Sequence, residues 1–280
     1  MNSFKLLAFD LDGTFLTEDK EIPDENLAAL KTAIDAGITV VPATGRLLDN
    51  MPQPFIDLCR YFILVNGAVI YDAYEDKYLY DAPIPTDLAL KIYDYGDTLP
   101  CIYDAYIDYH GYMTSSMYDI LEDYMPNKKY AHTMKVHRKP VPDLKQYAVA
   151  CGGKIQKIQF YFKNLAERDR QIEQLPQLFP GELYVSNSLT SNIEINIKDA
   201  IKGRALEVLC SHLRIDMADT VAFGDGTNDL SMIERAGVGV CMVNGSPICK
   251  KVADIISEAD NDHAGFAVEL MRLLNYQQSR

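Results

Sequence analysis

Positive charge is scarce in this chain. Its 27 lysines and arginines face 40 aspartates and glutamates, leaving a net charge of −13. So acidic a chain repels phosphate backbones and anionic headgroups, and binding to nucleic acid or to an anionic membrane surface is not expected. Long apolar runs are missing too: no stretch approaches the roughly 20 residues that a bilayer-spanning helix needs. Near the amino end, Leu6-Leu7-Ala8-Phe9 is cut short by Asp10, so no secretory signal peptide is expected there. Cysteine is present without pattern. Cys59, Cys101, Cys151, Cys210, Cys241 and Cys249 form no CxxC pair, and several lie within or beside apolar runs. They read as reduced thiols of a cytoplasmic protein, not as a disulfide framework or a zinc site. There is no repeat and no low-complexity tract. What remains is a chain of 280 residues, 48% of them apolar, enough to bury a full core and to form two domains.

The chemistry-bearing stretch is Asp10-Leu11-Asp12-Gly13-Thr14, directly after the largely apolar run Phe4-Lys5-Leu6-Leu7-Ala8-Phe9. A short apolar run ended by a sharp polar turn reads as a buried parallel strand, and open α/β sheets place ligands at the carboxyl ends of such strands. Two carboxylates two positions apart share one face, and a turn eased by Gly13 can bring them onto one small volume. Converging carboxylates repel unless a cation or a shared proton compensates, which implies a metal such as Mg²⁺. One carboxylate is then free to be a nucleophile and the other an acid/base. The alternative is a capped turn leading into a helix.

Three further stretches weigh against that alternative. Ile38-Thr39-Val40-Val41 is a second apolar strand running into Pro42-Ala43-Thr44-Gly45-Arg46, where a hydroxyl and backbone N–H groups make an anion site. Lys202-Gly203 opens a helical stretch, an end where the helix dipole favours anions, so the lysine makes sense as the partner of a bound phosphate. Thr220-Val221-Ala222-Phe223 is a further strand, ending in Gly224-Asp225-Gly226-Thr227-Asn228-Asp229 with two more carboxylates and an amide. In so acidic a chain a phosphate ester also needs a local cationic patch, which Arg46 and Lys202 can supply.

These four stretches, in this order, resemble the haloacid dehalogenase-like (HAD) superfamily of phosphohydrolases, and within it the Cof-type branch with a large α/β cap. Asn66-Gly67-Ala68 after the third strand and Ser231-Met232-Ile233-Glu234-Arg235-Ala236-Gly237 after the acidic turn add to the likeness, which runs from Phe4 to about Leu274. The resemblance implies an α/β fold: a Rossmann-like, doubly wound parallel sheet core with an inserted α+β cap domain. It implies Asp10 as the nucleophile that forms an aspartyl-phosphate and Asp12 as general acid, then base. Mg²⁺ would be held by the Asp10 carboxylate, the Asp12 main-chain carbonyl and Asp225. Thr44, the Gly45 and Leu11 N–H groups, Lys202 and Asn228 would bind the phosphoryl oxygens. Asp229 would position Lys202 or a metal-bound water. Two departures stand out: Asn244-Gly245-Ser246 where the family has Gly-Asn-Ala, and Ala264-Gly265-Phe266-Ala267 where it has Asp-Gly-Val-Ala. Neither is expected to touch the residues of the chemistry.

Strand and helix patterns alternate at the start: strand about 4–10, helix about 24–36, strand about 38–42, helix about 47–59 and strand about 62–65. That alternation predicts a parallel sheet with helices on both faces. A hairpin over 68–72 and 77–81 follows, and Pro83 and Pro85 mark a boundary. The expected division is core over 1–82, cap over 83–186 and core again over 187–280, with Ile193–Ile197 resuming the core alternation. Within the cap, strands near 101–108, 111–115, 155–162 and 181–186 and helices near 86–96, 117–125 and 165–178 are predicted, with proline breaks at Pro126 and Pro140-Val141-Pro142.

Of the 18 tyrosines, 13 lie between Tyr71 and Tyr130, and Tyr103, Tyr106, Tyr109 and His110 fall on or between cap strands. With Arg46 they are candidates for substrate recognition, since phenol rings stack on and hydrogen-bond to sugars and polyols. The bland alternative is that they fill one face of the cap sheet. The basic stretch from Lys128-Lys129-Tyr130 to Lys135-Val136-His137-Arg138-Lys139 could steer a phosphorylated substrate toward the cleft, but charge runs between elements are usually solvated loop, and that reading is preferred. The expectation is a Mg²⁺-dependent phosphomonoester hydrolase acting on a small phosphorylated metabolite, such as a sugar or polyol phosphate. Two alternatives stay open: a phosphomutase of the same fold, and a phosphometabolite-binding module without turnover.

Overall fold

Strand β1 (Leu6–Phe9) is wholly apolar and none of its side chains is exposed, as a strand covered on both faces requires. The computed structural model describes residues 4–125 and 128–278. Pro126 and the side chains of Lys129 and Tyr130 lie outside the described residues. After β1 come β2 (Thr39–Pro42), β3 (Tyr61–Leu64), β4 (Val69–Asp72) and β5 (Lys77–Asp81). The middle of the chain holds β6 (Cys101–Ile107), β7 (His110–Thr114), β8 (Lys139–Val141), β9 (Ile155–Phe162), β10 (Leu183–Ser186) and β11 (Asn192–Ile197). The last strands are β12 (Thr220–Gly224), β13 (Val238–Cys241) and β14 (Ile255–Ile256).

Two compact units divide the chain. The first comprises Met1–Arg46, Met51–Tyr80 and Ile201–Arg280, and the second Leu47–Asn50 and Asp81–Ala200. In the first, five parallel strands lie in the order β14-β13-β12-β1-β2, with helices such as Asp24–Asp35, Lys202–Leu213 and Gly265–Gln278 among the elements packed with them. Phe9 of β1 stands level with Phe223 of β12 and with Pro42 of β2. That register brings the loops after all three strands out at one edge, where α/β sheets bind ligands. An isolated parallel bridge from Ala43 to Ile63 leads on to the antiparallel sheet β3-β4-β5. Beneath the β1 loop, Phe9, Phe15, Phe55, Phe223 and Phe266 form a cluster of rings 4.7–6.0 Å apart, all fully buried. Burial of five such side chains anchors both ends of the Asp10–Thr14 turn, since Phe9 precedes it and Phe15 follows it.

The expected helix over 47–59 is broken into Leu48–Asn50 and Gln53–Leu58. Pro52 and Pro54 explain the break, because a proline withholds the amide donor that would carry a helix across it.

The second unit is a six-stranded sheet in the order β10-β11-β9-β6-β7-β8, antiparallel except for β7 and β8. Alternation sorts its faces. Tyr103, Ala105, Ile158, Phe160 and Ile195 turn to an apolar cluster with Leu88, Ile92, Leu144 and Leu175 from the helices. Three expectations are corrected here. Residues 193–197 do not resume the parallel core: β11 pairs antiparallel with β9 and β10, so this unit runs to Ala200 and not to 186. Its strict alternation, Ile193 and Ile195 against Glu194 and Asn196, is the pattern of an antiparallel strand, unlike the continuous apolar run of β1. The basic stretch is not a loop but a helix, Lys128–Val136, with Ala131 and Met134 buried one turn apart, followed by β8. Nor is all of it solvated: Arg138 is buried, ion-paired with Asp104 and set 4.7 Å over the Tyr106 ring. A helix at Leu144–Cys151, with Asp143 capping it through Gln146 N–H, was not expected from the sequence. Among the described residues no helix is long and apolar enough to cross a membrane.

Candidate active site

The turn after β1 is wound tightly: the Leu11 carbonyl accepts from the N–H groups of Phe15 at 3.1 Å and Leu16 at 2.8 Å. Gly13 sits at φ +87°, and a Cβ there would lie 2.6 Å from Asp225 Oδ2, so only glycine allows the Asp225 carboxylate this close. Thr14 adds a hydroxyl bond to Asp225 Oδ1 at 2.9 Å. The first and fourth motifs are thus locked together.

Lys202 is the first residue of its helix and is completely buried. Its ammonium lies 2.5 Å from Asp10 Oδ1 and 2.6 Å from Asp229 Oδ1. Gly67, at φ +99°, makes room for that helix start, because a Cβ would meet the Ile201 carbonyl at 2.4 Å. Asp229 spends its other oxygen on the N–H groups of Asp225 and Gly226, both at 2.9 Å. Asn228 donates to Asn66 Oδ1 at 3.2 Å. Thr44 is buried, held by its N–H to the Ile63 carbonyl, and its hydroxyl accepts from the Arg46 N–H at 3.2 Å. Gly45 lies half-buried between the two.

The charges do not balance. Asp10, Asp225 and Asp229 each bring an oxygen within 4.8 Å of the others, with one ammonium among them. Burial would strip the proton from Lys202, but Asp10 and Asp229 hold it ionised. Burial and then the Asp229 charge push the Asp10 carboxyl well above its ordinary range. The same two causes raise Asp225 to about 7. A crowded set of carboxylate oxygens is the donor set of a hard divalent cation, which would remove this repulsion. Both Asp229 oxygens are engaged, by Lys202 and by the loop amides, whereas Asp10 and Asp225 each have one oxygen in such a bond, so these two are the carboxylates that could hold the cation.

Asp12 turns away from that cluster. Arg46 grips it with two bonds, Nε to Oδ2 at 2.8 Å and Nη2 to Oδ1 at 2.7 Å, and the Lys20 ammonium lies 3.1 Å from Oδ1. Burial opposes ionisation of Asp12, but the two cations outweigh it and hold the carboxyl down at about 2. Arg46 therefore meets the acid/base candidate. Lys20 is a site neighbour without a counterpart in the sequence motifs, whereas Thr14 and Asn66 stand in those motifs without a role of their own. Lys20 sits in a turn at φ 66° with no sequence signal.

The departures divide. Phe266 only fills the aromatic cluster, as expected of a residue away from the chemistry. Asn244-Gly245-Ser246 does not stay away: the Ser246 N–H donates to the Asp225 carbonyl at 2.8 Å and Asn244 Nδ2 to the Gly13 carbonyl at 2.8 Å. The four cap candidates all lie in the second unit. Tyr103 packs inside its apolar cluster, stacked on Tyr93 at 5.4 Å with its hydroxyl on Asp97, which is the filling role. Tyr106 lies buried under the Arg138 and Lys157 cations. Tyr109 donates to Asp81 at 2.6 Å, and His110 Nδ1 lies 3.2 Å from Asp49.

A family model of haloacid dehalogenase-like hydrolases matches residues 7–270. The chain is 29% identical over 264 residues to the 5-amino-6-(5-phospho-D-ribitylamino)uracil phosphatase YcsE of Bacillus subtilis, covering 91% of this chain and 90% of that one. It is 31% identical over 250 residues to an HMP-PP phosphatase of Yersinia pseudotuberculosis, covering 89% and 87%. The solved structure of a haloacid dehalogenase-like hydrolase from Bacillus subtilis superposes with a TM-score of 0.83 at 27% identity, over 96% of this chain and 99% of that one.

Proposed function

The chain belongs to the haloacid dehalogenase-like hydrolase family and is a phosphatase, and we propose that it hydrolyses the phosphomonoester of a small metabolite, a sugar or polyol phosphate, with Mg²⁺ as cofactor. The observation that carries this reading is the buried Asp10–Lys202–Asp229 cluster with Asp225 beside it at the carboxyl edge of the sheet. The ribityl ester in one relative's name is a polyol phosphate and supports the substrate class.

Asp10 attacks phosphorus through a carboxylate oxygen; an Asp10–phosphorus bond forms as the bond to the leaving alkoxide breaks. Asp12 gives that alkoxide its proton, then takes a proton from the water that splits the acyl phosphate and frees inorganic phosphate. While Arg46 and Lys20 hold Asp12 ionised it has no proton to give, so the acid step requires the Arg46 pair to open. Lys202, Thr44, Asn228 and the Leu11 and Gly45 amides stabilise the equatorial oxygens. Asp10, Asp225 and the Asp12 main-chain carbonyl would hold Mg²⁺, which when bound would supply charge neutralisation at the transferring group. Of the tyrosine and histidine candidates in the second unit, Tyr109 and His110 remain for substrate recognition, since Tyr106 is buried with its hydroxyl bonded to Arg138. Four of the six free thiols are buried, which suits a reducing compartment such as the cytoplasm.

The test is phosphate release from sugar, polyol, nucleotide and flavin phosphates, with and without Mg²⁺, alongside Asp10→Asn. Release that needs the metal and vanishes in the variant is expected. No release from any ester, or wild-type turnover by Asp10→Asn, would refute the reading.

A further inference from the structure

Three consecutive carbonyls of the acidic loop each receive a donor from one short downstream segment. The Met242 N–H donates to the Gly224 oxygen at 3.0 Å, the Ser246 N–H to the Asp225 oxygen at 2.8 Å, and the Cys249 thiol to the Gly226 oxygen at 2.8 Å. The amides of the same loop are spoken for on the other side by Asp229. Backbone from Gly224 to Gly226 is therefore clamped through both its donors and its acceptors. The segment also reaches the β1 loop, where Asn244 Nδ2 holds the Gly13 carbonyl at 2.8 Å. Gly13 in turn lies against the Asp225 carboxylate.

Cys249 is fully buried beside Cys241 and Ile233. Burial keeps its thiol protonated, so it remains a donor. Asn244 is exposed and supports nothing in the core. Its bond to Gly13 spans 231 residues of sequence and joins two loops whose carboxylates must converge.

We propose that Asn244 and Cys249 are positioning residues for the metal-binding carboxylates, fixing the spacing of the Asp10 and Asp225 loops before the cation arrives. The inference rests on the reading that Asp10 and Asp225 hold a divalent cation. Ligands oriented by partners behind them bind metal more tightly, and loss of one such partner typically costs about 10–100-fold in affinity. The bond from Cys249 acts on the backbone beneath Asp225, and that from Asn244 on the backbone opposite it. Neither side chain touches substrate.

The experiment is direct titration of the metal-free protein with Mn²⁺, read by electron paramagnetic resonance, for wild type, Asn244→Ala, Cys249→Ala and Cys249→Ser. Both alanine variants are expected to bind Mn²⁺ about 10-fold more weakly. Cys249→Ser, which keeps a donor, should retain most of the affinity. Asn244→Ala should melt with wild type in chelator, which separates its loss from unfolding and keeps the test open if Cys249→Ala folds poorly. In turnover the Mg²⁺ activation constant rises while kcat at saturating Mg²⁺ recovers. Unchanged Mn²⁺ affinity in a folded Asn244→Ala and Cys249→Ala would overturn the positioning role. A wild type that binds no Mn²⁺ would instead overturn the metal reading beneath it.

Discussion

Asp225→Asn should make the metal-free protein more stable while removing one carboxylate from the proposed metal site. Burial, and next the Asp229 charge, lift the Asp225 carboxyl from an ordinary 3.8 to about 7. That rise is about three pH units at roughly 1.4 kcal/mol each, so the ionised carboxylate costs up to about 4 kcal/mol in the folded state. The repulsion is shared with Asp10 and Asp229, and one substitution recovers about half of it, roughly 2 kcal/mol. A carboxyl raised on folding holds its proton more tightly in the native state. Its stabilising contribution is complete below about pH 4 and is lost as the pH climbs through about 7. Asparagine escapes that loss and still offers an oxygen to the Thr14 hydroxyl, which bonds Asp225 at 2.9 Å. Thermal melts in chelator at pH 5, 6, 7 and 8 read the effect, with the variant about 4–8 °C above wild type at pH 8 and the gap closing toward pH 5. Added Mg²⁺ should then raise the wild type alone. Equal melting at pH 8, or a gain that does not grow between pH 5 and pH 8, would refute the charge argument.

Lys202→Ala should lower kcat/KM by about 10²–10³-fold, because it removes the one fully buried cation at the transferring group; steady-state kinetics on the best ester check this, and unchanged kinetics would remove Lys202 from the site. Phe266→Ala should cost about 3–5 kcal/mol in urea unfolding, since its ring packs within 4.7–5.5 Å of Phe9, Phe15 and Phe223 with no exposure. A loss below about 1 kcal/mol would mean that the cluster collapses to fill the gap.

How far the sequence could be read depended on which physical signal each segment carried. Continuous apolar runs such as Leu6–Phe9 and Thr220–Phe223 sit in the parallel sheet where that pattern belongs, with charged turns at their ends. In residues 193–197 the isoleucines resemble a core strand, but the alternating Glu194 and Asn196 are the mark of the antiparallel strand that forms there. The helix at Lys128–Val136 was hidden by its charge, although buried Ala131 and Met134 lie three apart. In the site, Asp10, Lys202, Asp225 and Asp229 meet from far apart in the chain, and they were candidates because each stands in a motif of recognisable residue types. Lys20 has no such motif: it reaches Asp12 from a turn at φ 66°. The contact of Asn244 with Gly13, across 231 residues, is set by the fold alone. Tyrosine clustering was ambiguous for a different reason. Strand alternation decides which ring faces core, and Tyr103 and Tyr106, three apart, fall on opposite faces.

The two cationic arrangements around the carboxylates differ in what they can do when a ligand arrives. Lys202 is wholly enclosed, and two of its three donors serve Asp10 and Asp229. Breaking a buried pair by removing one partner costs about 3–5 kcal/mol, so this ammonium stays in place, with its third donor available to the phosphoryl oxygen of the proposed reaction. Arg46 is 23% exposed and Lys20 44%, and the Asp12 they share is 38% exposed. Pairs this open to solvent are worth about 0–1 kcal/mol each, little against what a dianionic ester offers the same guanidinium fork. In the proposed mechanism the fixed cation would set the nucleophile and the exchangeable one would govern the acid/base. A single site holds both behaviours because burial, and not residue type, decides which charge can move.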